Sequence, residues 1–448
     1  MIEKVKSVLL VFLIGMSLFL TYQLWYGTMP AQLVVEDVYE RILVEEPRPL
    51  ENTLTPSQVA ISAGEAFYLL RKGEPGYDDL WEALSQTLQN ISIDTTVGEE
   101  MPPEDSGKLL TYHLQPAIPA GDGLPWFSDA PYTEIEKIEL FSAGDQKWLV
   151  LSELGSDNKI RLLLSPGKTE LFADMLEEIP LEGKILRSRL TPELIALQTE
   201  MELEVTGPIY VPEVPVYMNE LILKPESMDR DMILKTFFVD YNMARIIEEK
   251  DGGLIYTDGD KGLRLKNTGL EYSSPQKEEG QATASYPEAL TVSSNFISNH
   301  GGWPENLRLE EISLSRWGRT AYYNVRWMAY YDGFPIFAVQ PTRALFNDNG
   351  LIHYARSIFT PENVIIEENG REPAAAWNDA LEEAVALFRE QEGESGRVMR
   401  LEEMSLGYAI IDASNNYRGK PIWRIKINGT TVILCAMQLE PAGEEYLL

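Results

Sequence analysis

The chain has 448 residues, with 70 acidic and 38 basic side chains, and its formal net charge is −32. A field of that sign repels phosphate backbones, which argues against nucleic-acid binding. Cys435 is the only cysteine, which excludes an intramolecular disulfide. The chain is 44% hydrophobic and can fill ordinary globular cores, and its length allows several domains.

The apolar run at residues 7–26 predicts an uncleaved transmembrane helix. A helix needs about 20 apolar residues to cross a ~30 Å hydrocarbon core. The alternative is a cleaved signal peptide, whose apolar region is only roughly 7–15 residues long and ends at a small-residue cleavage site. This run instead ends in Tyr22, Trp25 and Tyr26, as is typical of a membrane interface.

The charges that flank this run predict its orientation. Lys4 and Lys6 precede the run, and the next basic residue after it is Arg41. Because basic residues stay in the cytoplasm, residues 1–6 are predicted to be a cytoplasmic tail. Residues 28–448 are then extracytoplasmic, and the protein is a single-pass protein of the cell membrane.

Within the apolar run, small and polar residues are candidates for contact with other membrane helices. Lipid gives helices no hydrophobic reason to pair, so close approach depends on residues of this kind. The candidates are Gly15, Ser17, Thr21 and Gln23. The alternative is that the bilayer merely tolerates them.

Residues 30–180 are predicted to form a first α+β domain. Apolar spacing predicts two helices within 62–88, separated by the sequence KGEPGYDD. Residues 108–118 alternate like a strand. Residues 135–166 predict three further strands, because the turn sequences GDQ and GSDN interrupt them.

Residues 181–275 are predicted to form a middle α+β domain. Segments 190–204 and 228–240 carry helix or strand signals, and 252–275 alternates like a β-hairpin. The stretch 275–284 has no apolar periodicity and predicts a linker.

Residues 276–448 contain an internal repeat, with copies at about 285–345 and 376–440. RLEEISL at 308–314 returns as RLEEMSL at 400–406, and each is preceded by a helix-like segment. Downstream, DGFPIFAV at 332–339 matches RGKPIWRI at 418–425, which predicts a shorter hairpin in the second copy. Each copy is predicted to run helix, strand, strand, tight turn, strand. Two copies with a shared core would make a duplicated α+β domain rather than a solenoid.

No motif in the chain predicts catalysis, a metal site or a cofactor. SPGKT at 165–169 lacks the first glycine of a phosphate-binding loop, and DGDKG at 258–262 lacks the later calcium ligands, so both predict turns. The chain lacks the zinc-ligand and nucleophile spacings, and Cys435 is interpreted as a core residue. The histidines are widely spaced: His113, His300 and His353.

The stretch 315–334 is the densest in aromatic and basic residues. Strand alternation places Tyr322, Arg326 and Tyr330 on one face, and these three are candidates for a partner surface. Tyr323, Val325, Trp327 and Ala329 fall on the opposite face. The alternative is an ordinary core face opposed by a solvated arginine face.

Taken together, these features resemble the YycH (WalH) family over essentially the whole chain. The resemblance depends most on LTYQLW in the apolar run and on YTDGDKGLRLKNTGLEY in the hairpin. It implies a non-enzymatic protein of low-GC Gram-positive bacteria that acts with a single-pass companion, YycI. Their target would be the sensor kinase YycG (WalK), which controls cell-wall homeostasis.

The predicted fold class is therefore α+β: a transmembrane helix followed by several extracytoplasmic α+β domains. By resemblance, the last of these is a duplicated helix-plus-antiparallel-sheet unit of the YycI or PepSY kind. The predicted function is non-catalytic regulation of the kinase through helix and extracytoplasmic contacts. Two alternatives stay open: an exported cell-wall hydrolase with paired carboxylates, and a PepSY-like protease-inhibitory module.

Overall fold

The computed structural model describes most of residues 53–447 and, before them, Met16, Ser17 and Glu46. The gaps longer than four residues within this range are 90–106, 120–133, 165–180, 275–281 and 393–397. The chain divides into two units, Met1–Ile42 and Leu43–Leu448.

The predicted transmembrane run lies outside the described residues except at Met16 and Ser17, which are helical and exposed. None of the helices that the structure describes is both long enough and apolar enough to cross a bilayer. The anchor at 7–26 and the cytoplasmic tail therefore stay predictions.

Five α-helices are described in the larger unit, and local capping explains where two of them begin. They are α1 Tyr77–Gln89, α2 Pro192–Thr199, α3 Arg230–Phe237, α4 Tyr286–Asn299 and α5 Trp377–Glu392. Helix α2 starts where the hydroxyl of Thr191 accepts from the Leu194 amide, with Pro192 in the first turn. Helix α3 starts where Asp229 accepts from the amides of Asp231 and Met232. Segments 190–204 and 228–240, which carry helix or strand signals, thus each contain a helix.

The first sheet has eight strands in the order β6-β5-β4-β3-β1-β2-β7-β9. These are β1 Gln58–Ala63, β2 Ala66–Leu70, β3 Gly107–Pro119, β4 Glu134–Ala143, β5 Gln146–Glu153, β6 Lys159–Leu164, β7 Leu186–Arg189 and β9 Tyr210–Pro212, while β8, Glu204–Val205, belongs to another sheet. The strands predicted at 108–118 and 135–166 are confirmed as β3 to β6. They pair antiparallel in chain order.

The first of the two helices predicted within 62–88 is wrong. Residues 58–70 form the antiparallel pair β1 and β2, and only the second predicted helix exists, as α1. Alanines and spaced aromatics in this stretch fit a helical period, but pairing of β1 with both β2 and β3 stabilises the extended form. The tertiary partners override the local pattern.

The remaining strands build a sixteen-strand sheet and a two-strand ribbon. They are β10 Tyr217–Met218, β11 Leu221–Pro225, β12 Arg245–Glu248, β13 Leu254–Thr257, β14 Gly262–Lys266, β15 Gly269–Ser273, β16 Leu307–Trp317, β17 Thr320–Tyr331, β18 Phe334–Phe337, β19 Thr342–Asn347, β20 Gly350–Ser357, β21 Phe359–Ile366, β22 Glu372–Pro373, β23 Arg400–Asp412, β24 Tyr417–Ile427, β25 Thr430–Cys435 and β26 Tyr446–Leu447. The ribbon is β10 with β22. The predominance of sheet over helix fits the predicted α+β class.

The hairpin predicted at 252–275 is part of a longer antiparallel meander. Strands β12, β13, β14 and β15 pair in succession, and β15 continues to β20. DGDKG forms the β13–β14 turn, where the Asp258 carboxylate accepts from the amides of Asp260 and Lys261 at 3.0 Å. The predicted turn at this motif is confirmed.

Each copy of the repeat has the predicted order. Helix α4 is followed by β16, β17 and β18, and helix α5 by β23, β24 and β25. Strand β18 pairs in parallel with β23, so one sheet contains both copies. The predicted shared core is only partial: Phe334 and Ile336 of the first copy pack in the cluster that holds the second copy.

The predicted match of DGFPIFAV to RGKPIWRI is wrong. Gly419 lies inside β24, whereas the turn of the second copy is Asn428-Gly429. Asp332-Gly333 in the first copy and Asn428-Gly429 in the second both have positive φ at both residues. That is the conformation of a type I′ hairpin turn, which favours Asn-Gly and Asp-Gly. The hairpin of the second copy is therefore longer, not shorter.

Two large hydrophobic clusters hold most of the buried residues that the structure describes. One extends from Leu54 to Tyr354, and so joins the first sheet, α3, α4 and the first copy of the repeat. The other joins residues 190–223 to the second copy. Strand pairing crosses both predicted boundaries, since β7 at 186–189 belongs to the first sheet and β15 at 269–273 pairs with β20. The division at 180/181 and 275/276 stays a prediction.

Candidate interaction site

The repeated RLEE sequence produces the same β-bulge in both copies. The register shifts between Leu309 and Glu311 in β16, and between Leu401 and Glu403 in β23. A bulge adds one residue to one strand and so re-aims the side chains around it. Two successive glutamates can then reach basic residues of the adjacent strand.

In the first copy, Arg326 of β17 lies within ion-pair distance of both glutamates. Its Nε lies 3.1 Å from Glu310 Oε2, and its Nη2 lies 2.9 Å from Glu311 Oε2. Ser313 Oγ donates to Glu311 Oε1 at 3.0 Å. The arginine is 37% exposed, so the charge is held in place yet still reaches the surface.

The second copy repeats this arrangement with two basic residues from β24. Arg424 pairs with Glu403, and Lys426 Nζ lies 3.0 Å from Glu402 Oε2. Ser405 Oγ donates to Glu403 Oε1 at 2.9 Å, as Ser313 does to Glu311. The resemblance between the copies therefore extends from sequence to side-chain pairing.

The charges of the two copies come together. Burial raises the pKa of Glu310, Arg326 and Arg424 oppose that rise, and Glu403 and Glu311 add to it. We call Glu310, Glu311, Arg326, Tyr330, Glu403 and Arg424 the inter-repeat patch. It offers paired positive and negative groups at the junction of the copies.

Tyr330 connects the inter-repeat patch to a buried basic cluster. The Arg308 guanidinium lies 4.3 Å from the centre of the Tyr330 ring, a cation–π distance. Burial raises the pKa of Tyr330, and Arg71 and Arg308 oppose the rise. Arg71, from the end of β2, donates to the Gly333 carbonyl in the β17–β18 turn, so the first sheet contacts the repeat here.

The structure brings together two of the three candidate partner-surface residues. Arg326 and Tyr330 belong to the inter-repeat patch, but Tyr322 lies opposite Ser315, eight residues along the strand from Tyr330. At ~3.3 Å per residue this separation is about 26 Å. Val325 and Trp327 are buried on the opposite face of β17, but Met328, on the face of Arg326 and Tyr330, is buried as well.

Four residues of the inter-repeat patch were not predicted from the sequence: Glu310, Glu311, Glu403 and Arg424. The repeated RLEE sequence was the available signal, but it does not show that the two copies lie side by side. Only the parallel pairing of β18 with β23 brings them together. Because Glu311 and Glu403 are bound by both an arginine and a serine, this arrangement suits recognition through charge better than proton transfer.

The residues noted for metal or nucleophile chemistry occupy separate places. His113 contacts Tyr210, His300 stacks on Phe296, and His353 Nε2 lies 2.9 Å from Glu271 Oε1. Within the described parts of the chain, no group of three or more potential metal ligands was found. Cys435, predicted to be a core residue, is only half-buried.

The candidate membrane contacts lie almost entirely beyond the described residues. Ser17 is helical and exposed, while Gly15, Thr21 and Gln23 fall outside the described residues. The SPGKT sequence at 165–169, predicted to be a turn, also lies outside the described residues.

Comparison with known proteins shows the family. Residues 3–101 match the N-terminal domain of YycH protein, and residues 207–438 match its C-terminal domain. This chain belongs to the YycH family. Membership in the YycH family implies a regulator of the YycG (WalK) kinase system, and the family is regulatory rather than catalytic.

One solved structure of a YycH protein shares the fold of this chain. The crystal structure of YycH from Bacillus subtilis matches with a TM-score of 0.58 at 13% identity, over 87% of this chain and 98% of that one. An uncharacterized protein from Eubacterium rectale matches with a TM-score of 0.37 at 11% identity, over 54% of this chain and 90% of that one. No curated protein matches the sequence.

Proposed function

We propose that this chain is a non-catalytic, membrane-anchored regulator that acts with a YycI-like single-pass protein. Together they modulate a YycG (WalK)-type sensor histidine kinase. Membership in the YycH family carries this proposal. The match to the N-terminal model begins at residue 3 and includes the apolar run, which supports an anchor at 7–26 with the bulk of the chain outside the cell.

Regulation of this kind requires no chemistry in the regulator. A membrane helix that binds one state of the kinase better than another shifts the balance between the states, with a coupling of ~1–3 kcal/mol. Gly15, Ser17, Thr21 and Gln23 are the proposed contact residues, because small and polar side chains allow helices to approach closely. Outside the membrane, the proposed partner surface includes Tyr322, Arg326 and Tyr330.

The test replaces residues 7–26 with an unrelated membrane helix of equal length and measures kinase output with the companion protein co-expressed. We expect regulation to be lost while the exported part still reaches the membrane. The matched control restores only Gly15, Ser17, Thr21 and Gln23 in the replacement helix and should recover part of the regulation. Unchanged kinase output with the unrelated helix would refute the helix-contact mechanism.

A further inference from the structure

Strand β12 forms one edge of the sixteen-strand sheet. It pairs with β13, and no strand that the structure describes lies on its other side. All four of its residues are exposed, with Ile246 at 57% and Ile247 at 51%. Edge strands are usually protected by lysine, proline or a bulge, and an edge with isoleucine on both faces is a template for strand pairing.

The backbone of β12 shows which groups are available at this edge. The Glu249 amide donates to the Gly253 carbonyl at 2.8 Å, beyond the last strand pair, Glu248 with Leu254. Hydrogen-bonded positions alternate along an antiparallel strand, so the backbone groups of Ile247 and Arg245 face β13. Those of Ile246 and Glu248 face the open edge.

We propose that β12 pairs antiparallel with β12 of a second copy of this chain, about a two-fold axis at Ile247. The strand has Arg245 at its start and Glu249 just after its end, and the Glu249 carboxylate already pairs with Arg264 of β14 in the same chain. Pairing about Ile247 places Arg245 of each copy opposite Glu249 of the other and Ile247 opposite Ile247. This interface is a prediction about the exported part and does not depend on the kinase-regulating function.

Two other registers also place outward-facing backbone groups opposite each other, and the contacts of the strand disfavour both. An axis at Glu248 sets two carboxylates directly opposite, which is destabilising. An axis at Ile246 pairs Glu248 with Ala244, whose amide already donates to the Tyr241 carbonyl. The axis at Ile247 uses the backbone groups of both Ile246 and Glu248, and it brings Arg245 of each copy to the Glu249 carboxylate of the other, which Arg264 also contacts.

Cysteine cross-linking tests this register. In a non-hydrogen-bonded antiparallel pair the Cα atoms lie about 4.5 Å apart, within the range that a disulfide spans. Two copies of residue 246 would instead be diagonal neighbours at about 7–8 Å, too far for a disulfide. Each cysteine is introduced into full-length protein in which Cys435 is replaced by alanine, and the sample in detergent is oxidised with copper phenanthroline.

We expect Ile247→Cys to form a covalent dimer, and Ile246→Cys to form none above the level of Val398→Cys. Val398 is a matched control, because it is exposed at 61% and lies away from β12. Adding Arg245→Glu to Ile247→Cys should reduce the cross-linked fraction severalfold, because the ion pairs become repulsive. A dimer formed equally by all three cysteines, or by Ile246→Cys in preference, would overturn the proposal, as would no dimer with Ile247→Cys. Normal kinase regulation by a non-dimerising variant would leave the proposed function intact.

Discussion

At the scale of single residues, the contact between His113 and Tyr210 shows how burial sets chemistry in this protein. His113 Nε2 lies 2.8 Å from Tyr210 Oη, and the two rings meet edge to face. Both residues are buried, and Tyr210 packs with Ala60 and Leu69. Burial raises the pKa of Tyr210 to about 12, since the phenolate would lose its hydration.

This shift predicts a pH dependence of stability. Above pH ~10 the unfolded chain loses the Tyr210 proton while the folded protein keeps it, so stability falls as the pH rises from about 10 to 12. Between these pH values the free energy of unfolding should fall less in Tyr210→Phe than in the unsubstituted protein. We expect the two falls to differ by about 2–3 kcal/mol. Urea unfolding at a series of pH values measures the difference.

The control for this experiment is Tyr217→Phe, which removes a hydroxyl from a tyrosine that is exposed at 58%. It should follow the unsubstituted protein. Parallel pH profiles for Tyr210→Phe and the unsubstituted protein would contradict the prediction, because they would mean that folding leaves the pKa of Tyr210 unchanged.

At the scale of elements, the approach of β18 to β23 joins the two copies of the repeat and depends on Gly407. A Cβ at this position would lie 2.6 Å from the Pro335 carbonyl oxygen and 2.8 Å from a ring atom of Phe337. Neither neighbour can move freely, because both lie in β18, which is paired to β23 at Ile336 and Phe337.

We therefore expect Gly407→Ala to destabilise the protein by about 1–3 kcal/mol, as overpacking does elsewhere. Gly107→Ala is the matched control, since the nearest atom to its added Cβ is 4.0 Å away. It should leave stability unchanged or raise it by up to about 1 kcal/mol. The midpoints of urea unfolding of the two variants measure the difference. Equal midpoints would mean that β18 moves away from the added methyl group at no cost in stability.

The elements also show where sequence patterns succeed and fail. Strand β3 was predictable from the alternation in 108–118, and strands β4 to β6 were predictable because alternation and turn residues agree along 135–166. The helix predicted at the start of 62–88 was wrong because spaced apolar residues suit either period when a segment is short. The pairing of β2 with β7, more than 100 residues away, decides the strand.

At the scale of the whole molecule, the larger core predicts how the protein unfolds. It unites Tyr112 of the first sheet and Tyr256 of the meander with Trp327 and Tyr354 from the region after residue 275. Cutting the chain at the predicted 275/276 boundary would remove the last two and expose the others to water.

We expect a chain ending at residue 275 to lack a cooperative unfolding transition, since lost core contacts of this size cost several kcal/mol each against a total stability of ~5–15 kcal/mol. Circular dichroism during urea unfolding of the truncated and full-length proteins measures this. A sharp transition in the truncated chain would instead support domains divided at 275/276.

The sequence by itself determined the α+β class, the duplicated unit with its RLEE strands, and the resemblance to the YycH family, because these depend on local period, turn residues and repetition. Only the tertiary structure decided that β18 joins the copies in one sheet, and that Arg326 and Tyr330 meet Glu403 and Arg424 while Tyr322 does not. It also decided which edge strand is open. These features depend on which distant strands pair, and strand pairing is a long-range choice that no window of sequence contains.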